Sequence, residues 1–318
     1  MEKYYIKAFS ILLLGLSSFS LLGQQDAQYT QYMYNTISIN PAYAGSRDVL
    51  SIVGLHRNQW VGIDGAPRTS TLALHTPLGA SRRVGLGGSV INDEIGPVDE
   101  TYMSVDFSYT IPTSETGKLS FGLKGTAQLI NVDFNKLTRS DLNDPEYAQG
   151  LDNSFNPNVG IGLYYHNEKT YVGLSVPNLL ETEHFDRSNA SNNQVTSTTI
   201  GAQEKVNFYL IAGHVFDLTD NLKLKPALLT KLVFGAPLQV DVSANFLIHD
   251  RFTLGAAYRW DAAFSALAGF QISDSLMIGF AYDRETTELQ QFNDGSFELM
   301  LRFELFQKYS RVITPRFF

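Results

Sequence analysis

The stretch Leu238–Leu247, LQVDVSANFL, decides the fold. Leu238, Val240, Val242, Ala244 and Phe246 alternate with Gln239, Asp241, Ser243 and Asn245, a two-residue period that sends every apolar side chain to one face of a β-strand. Roughly ten residues is long for a soluble sheet, where about five or six is usual, and matches the roughly 9 to 11 tilted residues that cross a bilayer. The unit recurs. Phe252, Leu254, Ala256, Tyr258 and Trp260 alternate with Thr253, Gly255, Ala257 and Arg259, and Phe297, Leu299, Leu301, Phe303 and Leu305 alternate with Glu298, Met300, Arg302 and Glu304. Backbone groups inside a bilayer must be paired within the protein, so strands cross only as a closed barrel with lipid outside and polar groups in the lumen. The expectation is an all-β fold, a transmembrane antiparallel β-barrel.

Working outward, the same patterning predicts fourteen strands, at about 50–60, 69–77, 84–91, 101–111, 118–129, 158–166, 170–176, 206–216, 222–234, 238–247, 251–260, 263–272, 276–284 and 296–305. An even number suits a single-chain bacterial barrel. Connections on one side are short (79–83, 112–117, 166–169, 217–221, 248–250, 273–275), whereas most on the other are long, including 61–68, 92–100, 130–157, 177–205 and 285–295. Outer-membrane barrels sort their loops in this way, with the long ones outside the cell. On the outward face Trp260, Phe264, Tyr282 and Phe297 mark one belt and Phe252, Phe270 and Phe303 the other, the interfacial positions where amphipathic rings settle.

Composition agrees, with 25 Gly, 16 Tyr and 21 Phe in 318 residues. A net charge of -8 argues against nucleic acid as a partner, and the absence of Cys removes disulfides, thiol catalysis and a lipidated cysteine. Residues 1–23, with Lys3 and Lys7 ahead of an apolar run from Ala8 to Leu22, read as a signal peptide. Residues 24–49 precede the barrel as an ordered segment, placed either in the lumen as a plug or at the periplasmic rim, because Tyr29, Tyr32, Met33, Tyr34, Ile37 and Ile39 are too apolar to stay in water. The barrel is expected over 50–306, with a C-terminal tail at 307–318.

Little in the chain suggests catalysis. The histidines at 56, 75, 166, 184, 214 and 249 lack ligand spacing, there is no G-x-S-x-G elbow or P-loop, and GLGGS at 85–89 reads as a glycine-rich strand rather than a dinucleotide loop. No catalytic residue, metal site or cofactor is expected. Asp141, Asp144, Glu146 and Asp152 read as a solvated loop, with Ca²⁺ ligation the alternative. Ten charges fall on lumen positions, Asp106, Lys124, Lys225, Lys231, Asp241, Arg259, Asp283, Glu298, Arg302 and Glu304. Five of each sign suit pairing across a closed lumen better than the single-signed ring of a selective pore.

Two stretches carry a family resemblance. QYTQYMYNTISINPAYAGSRD, from Gln28 to Asp48, and the ending Tyr309-Ser310-Arg311 with Thr314-Pro315-Arg316-Phe317-Phe318 resemble the PorP/SprF outer-membrane proteins of the Bacteroidetes type IX secretion and gliding machinery. Trp60, GAPRTSTLALHTPL and GLGGSVINDEIGP fit that family too, and the motif Asn40-Pro41-Ala42-Tyr43-Ala44-Gly45 maps onto it residue by residue. The resemblance implies a non-enzymatic barrel in the outer membrane of a Gram-negative bacterium. It would help export or anchor a large secreted adhesin, held through its C-terminal domain, alongside other type IX components and outer-membrane lipid. The rival is an outer-membrane channel or transporter for small molecules, hydrophobic ones included. Partner recognition is expected in loops 130–157 and 177–205, where Phe134, Tyr147, Phe155 and Phe185 would be the anchors among polar residues.

Overall fold

The structure, a computed structural model, describes residues 28–133, 136, 151–181, 183–184, 202–203 and 205–305. Its strands are β1 (Leu50–Asn58), β2 (Arg68–Leu78), β3 (Val84–Ile95), β4 (Val98–Pro112), β5 (Lys118–Val132), β6 (Leu151–His166) and β7 (Thr170–Val176) in the first half of the chain. The second half adds β8 (Asn207–His214), β9 (Leu222–Val233), β10 (Gln239–Ile248), β11 (Phe252–Arg259), β12 (Ala263–Ser273), β13 (Leu276–Glu285) and β14 (Ser296–Leu305). Each pairs antiparallel with its neighbours in sequence, and β8 resumes after Val215 as Phe216–Thr219 against β9. Pairing of β1 with β14, from Leu50↔Leu305 to Asn58↔Phe297, closes the barrel of fourteen strands. A two-residue ladder, Glu183–His184 with Ala202–Gln203, lies outside that sheet.

Burial is inverted relative to a soluble protein. In β14 the polar Ser296, Glu298, Arg302 and Glu304 are buried, while Phe297, Leu299, Leu301, Phe303 and Leu305 are exposed. Val242 of β10 is 45% exposed beside a buried Asp241 and Ser243, so the deciding stretch keeps the register its period implies. Outward rings pack against one another between strands in tilted pairs, as in Phe252–Phe270 at 4.7 Å, Tyr258–Phe264 at 4.6 Å and Tyr282–Phe297 at 5.1 Å. No helix among the described residues is long and apolar enough to cross a membrane.

Two loop boundaries differ from the sequence expectation. Residues 92–100 are not a loop: β3 and β4 run on to a turn at 96–97, with Asp93↔Glu100 and Glu94↔Asp99 in register and Asn92 Nδ2 donating to Asp99 Oδ1 at 2.8 Å. These strands continue past the lipid, where the outward face need not be apolar, and the period that marks a strand disappears. For the same reason β5 reaches Val132 and β6 starts at Leu151, which shortens the 130–157 loop to 133–150. The expected signal peptide at 1–23, the expected tail from 307, the acidic positions 141, 144 and 146, and residues 185–201 lie outside the described residues.

The connections 59–67, 96–97, 133–150, 177–206, 234–238, 260–262 and 286–295 share one rim, and 79–83, 113–117, 167–169, 220–221, 249–251 and 274–275 the other. The hydrophobic core sits in the lumen. Tyr29, Tyr32, Met33, Tyr34, Ile37, Ala42, Tyr43 and Ala44 of the N-terminal segment form one buried cluster with wall residues such as Val53, Leu55, Tyr164, Ile211 and Met300.

Candidate functional site: the plugged lumen

Residues 28–48 run inside the barrel as turns, a short helix α1 (Thr36–Ile39) and a 3₁₀ turn (Pro41–Tyr43). The segment closes turn after turn on itself, from Tyr34 N to the Gln31 carbonyl through to Asp48 N to the Gly45 carbonyl, and the backbone groups those turns leave open are costly if orphaned once buried. The wall supplies the partners. Glu298 Oε2 and Oε1 accept the backbone N–H groups of Thr30 and Gln31 at 2.9 and 2.8 Å. Arg57 Nη1 lies 2.7 Å from Asp283 and 3.1 Å from Glu298, and Thr30 Oγ1 donates to Asp283 at 2.7 Å. Two buried carboxylates against one guanidinium leave a negative charge, and the segment's N–H and O–H groups meet it. Without the segment this wall would carry an uncompensated buried charge, a cost of several kcal/mol.

The motif Asn40–Gly45 forms the most closely fitted part. Asn40 Oδ1 caps the 3₁₀ turn by accepting from Ala42 N at 2.9 Å, and its Nδ2 donates to the Leu163 carbonyl at 3.0 Å. Ser108 Oγ donates to the Ala44 carbonyl at 2.7 Å, and Gly45 N donates to His75 Nδ1 at 3.1 Å. The Tyr43 ring meets His75 and Tyr164 edge-on at 5.2 and 5.3 Å. Backbone approaches backbone here, which only glycine allows: a Cβ on Gly85 would stand 2.2 Å from the Ala44 carbonyl oxygen, and one on Gly122 would stand 2.1 Å from Ala42 N. The glycine-rich 85–89 strand is thus a seat for the segment.

Charge pairing is mostly local. Lys124 sits 3.1 Å from Asp106 on the next strand and its Nζ donates to the Ile37 and Ser38 carbonyls at 3.3 Å; Arg259 sits 2.6 Å from Asp241. Glu304 pairs with Arg47 of the segment and lies 3.8 Å from Arg302. Tyr34 lies between two cations, Lys225 Nζ at 5.4 Å and Arg302 Cζ at 5.6 Å from its ring centre. Of the ten charges foreseen from sequence, Asp106 pairs with Lys124 and Asp241 with Arg259 on adjacent strands, Asp283 and Glu298 pair with Arg57 of β1, and Glu304 pairs with Arg47 of the segment, so these pairs run along the wall and into the segment rather than across the lumen. Arg57 was missed because Val53 and Leu55 share the inward face of β1 with it, so the strand's period does not mark an inside, and Arg47 because it lies on the segment, outside any strand period.

A cavity of about 70 Å³ remains between the segment and the β3–β8 wall, lined by Tyr29, Ile39, Tyr102, Lys124, Thr126 and Pro177 among others. Ser38 Oγ and Thr126 Oγ1 have no protein partner, and a space of this size admits a few waters, at roughly 10–15 Å³ each, to satisfy them. Of the expected partner anchors, Phe134, Tyr147 and Phe185 lie outside the described residues. Phe155 is not in a loop: it belongs to β6, opposite Leu129, and is 60% exposed on the outward face. Among the described residues no group of three or more His, Asp or Glu side chains could hold a metal ion.

Comparison with solved structures finds barrels of similar extent and low identity. The CymD monoaromatic hydrocarbon channel is 13% identical with a TM-score of 0.49, over 91% of this chain and 96% of that one. The Acinetobacter baumannii outer membrane protein Omp33 is 10% identical with a TM-score of 0.44, over 81% and 98%. A Pseudomonas aeruginosa FadL homologue is 13% identical with a TM-score of 0.41, over 89% and 95%. No curated protein matches the chain. The family described as "Type IX secretion system membrane protein PorP/SprF" matches residues 21–303, from ahead of the lumen segment to the last strand. With its lipid-facing closed barrel the protein resides in the outer membrane, and it belongs to the PorP/SprF family of type IX secretion system membrane proteins.

Proposed function

We propose that this protein is a non-enzymatic attachment component, which helps export a partner surface adhesin or hold it on the cell, by its C-terminal domain, together with other type IX components. The observation that carries this reading is the occupied lumen. A segment bonded to wall strands all round the barrel leaves the rims as the places where a macromolecule can engage. Lipid-facing positions must stay apolar and lumen positions are committed to the plug, so recognition falls to the long connections 133–150 and 177–206. Their aromatic residues Phe134, Tyr147 and Phe185 supply anchors within a polar surround. Phe155, on β6, faces lipid or the rim just below them.

Shortening both connections tests this. The barrel is expected to assemble at normal abundance while the adhesin is released into the medium. An assembled, shortened barrel that still retains its adhesin would exclude these loops. The transport reading is tested by conductance of the intact protein in planar bilayers: silence is expected, and a steady open channel would favour a transporter.

A further inference from the structure

We infer that the chain enters its own barrel from the outer mouth, so that Gln28 faces the cell exterior and Asp48 faces the periplasm. A segment that follows an export leader and precedes the first strand would by default sit on the periplasmic side. The contacts run the other way. Gln28 Nε2 donates to Gln239 at 2.8 Å, at the first residue of β10, directly below the 234–238 connection. Tyr29 OH meets Thr71 Oγ1 at 2.6 Å, near the start of β2 below 59–67, and Thr30 and Gln31 meet Glu298 near the start of β14 below 286–295. All three positions belong to the rim with the long connections.

The other end of the segment sits on the opposite rim. Ala44 is bonded to Ser108 late in β4, Gly45 to His75 late in β2, and Arg47 to Glu304 one residue from the end of β14. Asp48 lies 3.5 Å from Lys118, the first residue of β5 beside the 113–117 turn. Residues 28–48 therefore descend the full lumen, an apolar band about 25 Å tall in barrels of this kind. That is easily covered by this many residues even with α1 and the 3₁₀ turn shortening the path. Leu50 follows Asp48 by two residues and opens the strand that closes the barrel against β14. The segment consequently has to be in place when that seam forms.

This rests on the attachment reading for its significance and extends it: the leading end of the plug becomes part of the surface presented to the adhesin, beside the long connections. It also gives the plug a geometry that spans the membrane, bonded at the exterior end through Thr30 and Gln31 and at the periplasmic end through Arg47 and Asp48.

The chain has no native cysteine, so single thiols report cleanly. Gln28→Cys and Asp48→Cys are compared with two rim markers, Gln291→Cys in the 286–295 connection and Glu168→Cys in the 167–169 turn, both exposed. Each full-length protein is treated with an impermeant maleimide on whole cells and again after the outer membrane is opened. Gln28→Cys is expected to react on whole cells along with Gln291→Cys, while Asp48→Cys reacts only after opening, along with Glu168→Cys. Gln28→Cys remaining silent on whole cells where Gln291→Cys reacts would overturn the threading, as would Asp48→Cys reacting there. Reaction of Glu168→Cys but not Gln291→Cys on whole cells would show instead that the rims are exchanged, which also overturns the exterior placement of Gln28. Loss of adhesin retention on loop shortening is a separate readout, so failure of the attachment reading and failure of the threading are told apart.

Discussion

Replacing Gly122 by Val should unseat the plug while leaving the barrel wall intact. The new Cβ would lie 2.1 Å from Ala42 N and 2.5 Å from both Ala42 Cα and the Pro41 carbonyl carbon, all backbone atoms that cannot swing aside. Relief to ordinary contact requires the 3₁₀ turn to retreat by about 1 Å, and overpacking of this kind typically costs about 1–3 kcal/mol. Retreat also stretches three bonds of that turn, Asn40 to Leu163 at 3.0 Å, Ser108 to Ala44 at 2.7 Å and Gly45 to His75 at 3.1 Å. At a net ~0.5–1.5 kcal/mol each, their loss brings the weakening of docking to about 2.5–7.5 kcal/mol, or about two to five orders of magnitude in the docked-to-undocked ratio. Gly125→Val is the matched control, because it lies on the same strand, faces outward and a Cβ there meets nothing within 4 Å. In planar bilayers the native protein and Gly125→Val should be silent and Gly122→Val should show openings, with all three shifting equally on heated and unheated electrophoresis as folded barrels. If Gly122→Val folds, stays silent and is as stable as the native protein, the motif's close seat does not hold the plug.

Arg57→Met removes the cation that lies 2.7 Å from Asp283 and 3.1 Å from Glu298 and should cost about 3–5 kcal/mol in unfolding from detergent; adding Asp283→Asn and Glu298→Gln should recover much of it, and no recovery would mean the loss is one of packing. Val242→Arg puts a charge on the lipid face near mid-strand and should cost about 2–4 kcal/mol in lipid, whereas an unchanged stability would mean the in/out register of β10 is wrong. Loop shortening and thiol labelling, as set out above, test the partner surface and the threading.

The sequence by itself determined the barrel. Whether a strand residue meets lipid is a property of that residue and its parity, so LQVDVSANFL and its repeats fixed the strand number, the register and which side is greasy without knowledge of any partner strand. It also carried the composition of the plug, because a run such as QYMYNTISI has too many rings for water. Where the strands outrun the bilayer, as at 92–100 and 151–157, the lipid no longer imposes a period and the strand ends were invisible. Only the tertiary structure decided what fills the lumen and in which direction. Arg57 finds Asp283 and Glu298 across more than two hundred residues of chain, Ala42 finds Gly122, and Arg47 finds Glu304. A lumen side chain is selected by whatever stands opposite it, so Val53 and Leu55 face inward against the rings of the plug and Gly85 gives up its side chain to a carbonyl oxygen. No local pattern records such a meeting, because closing the barrel is what creates it.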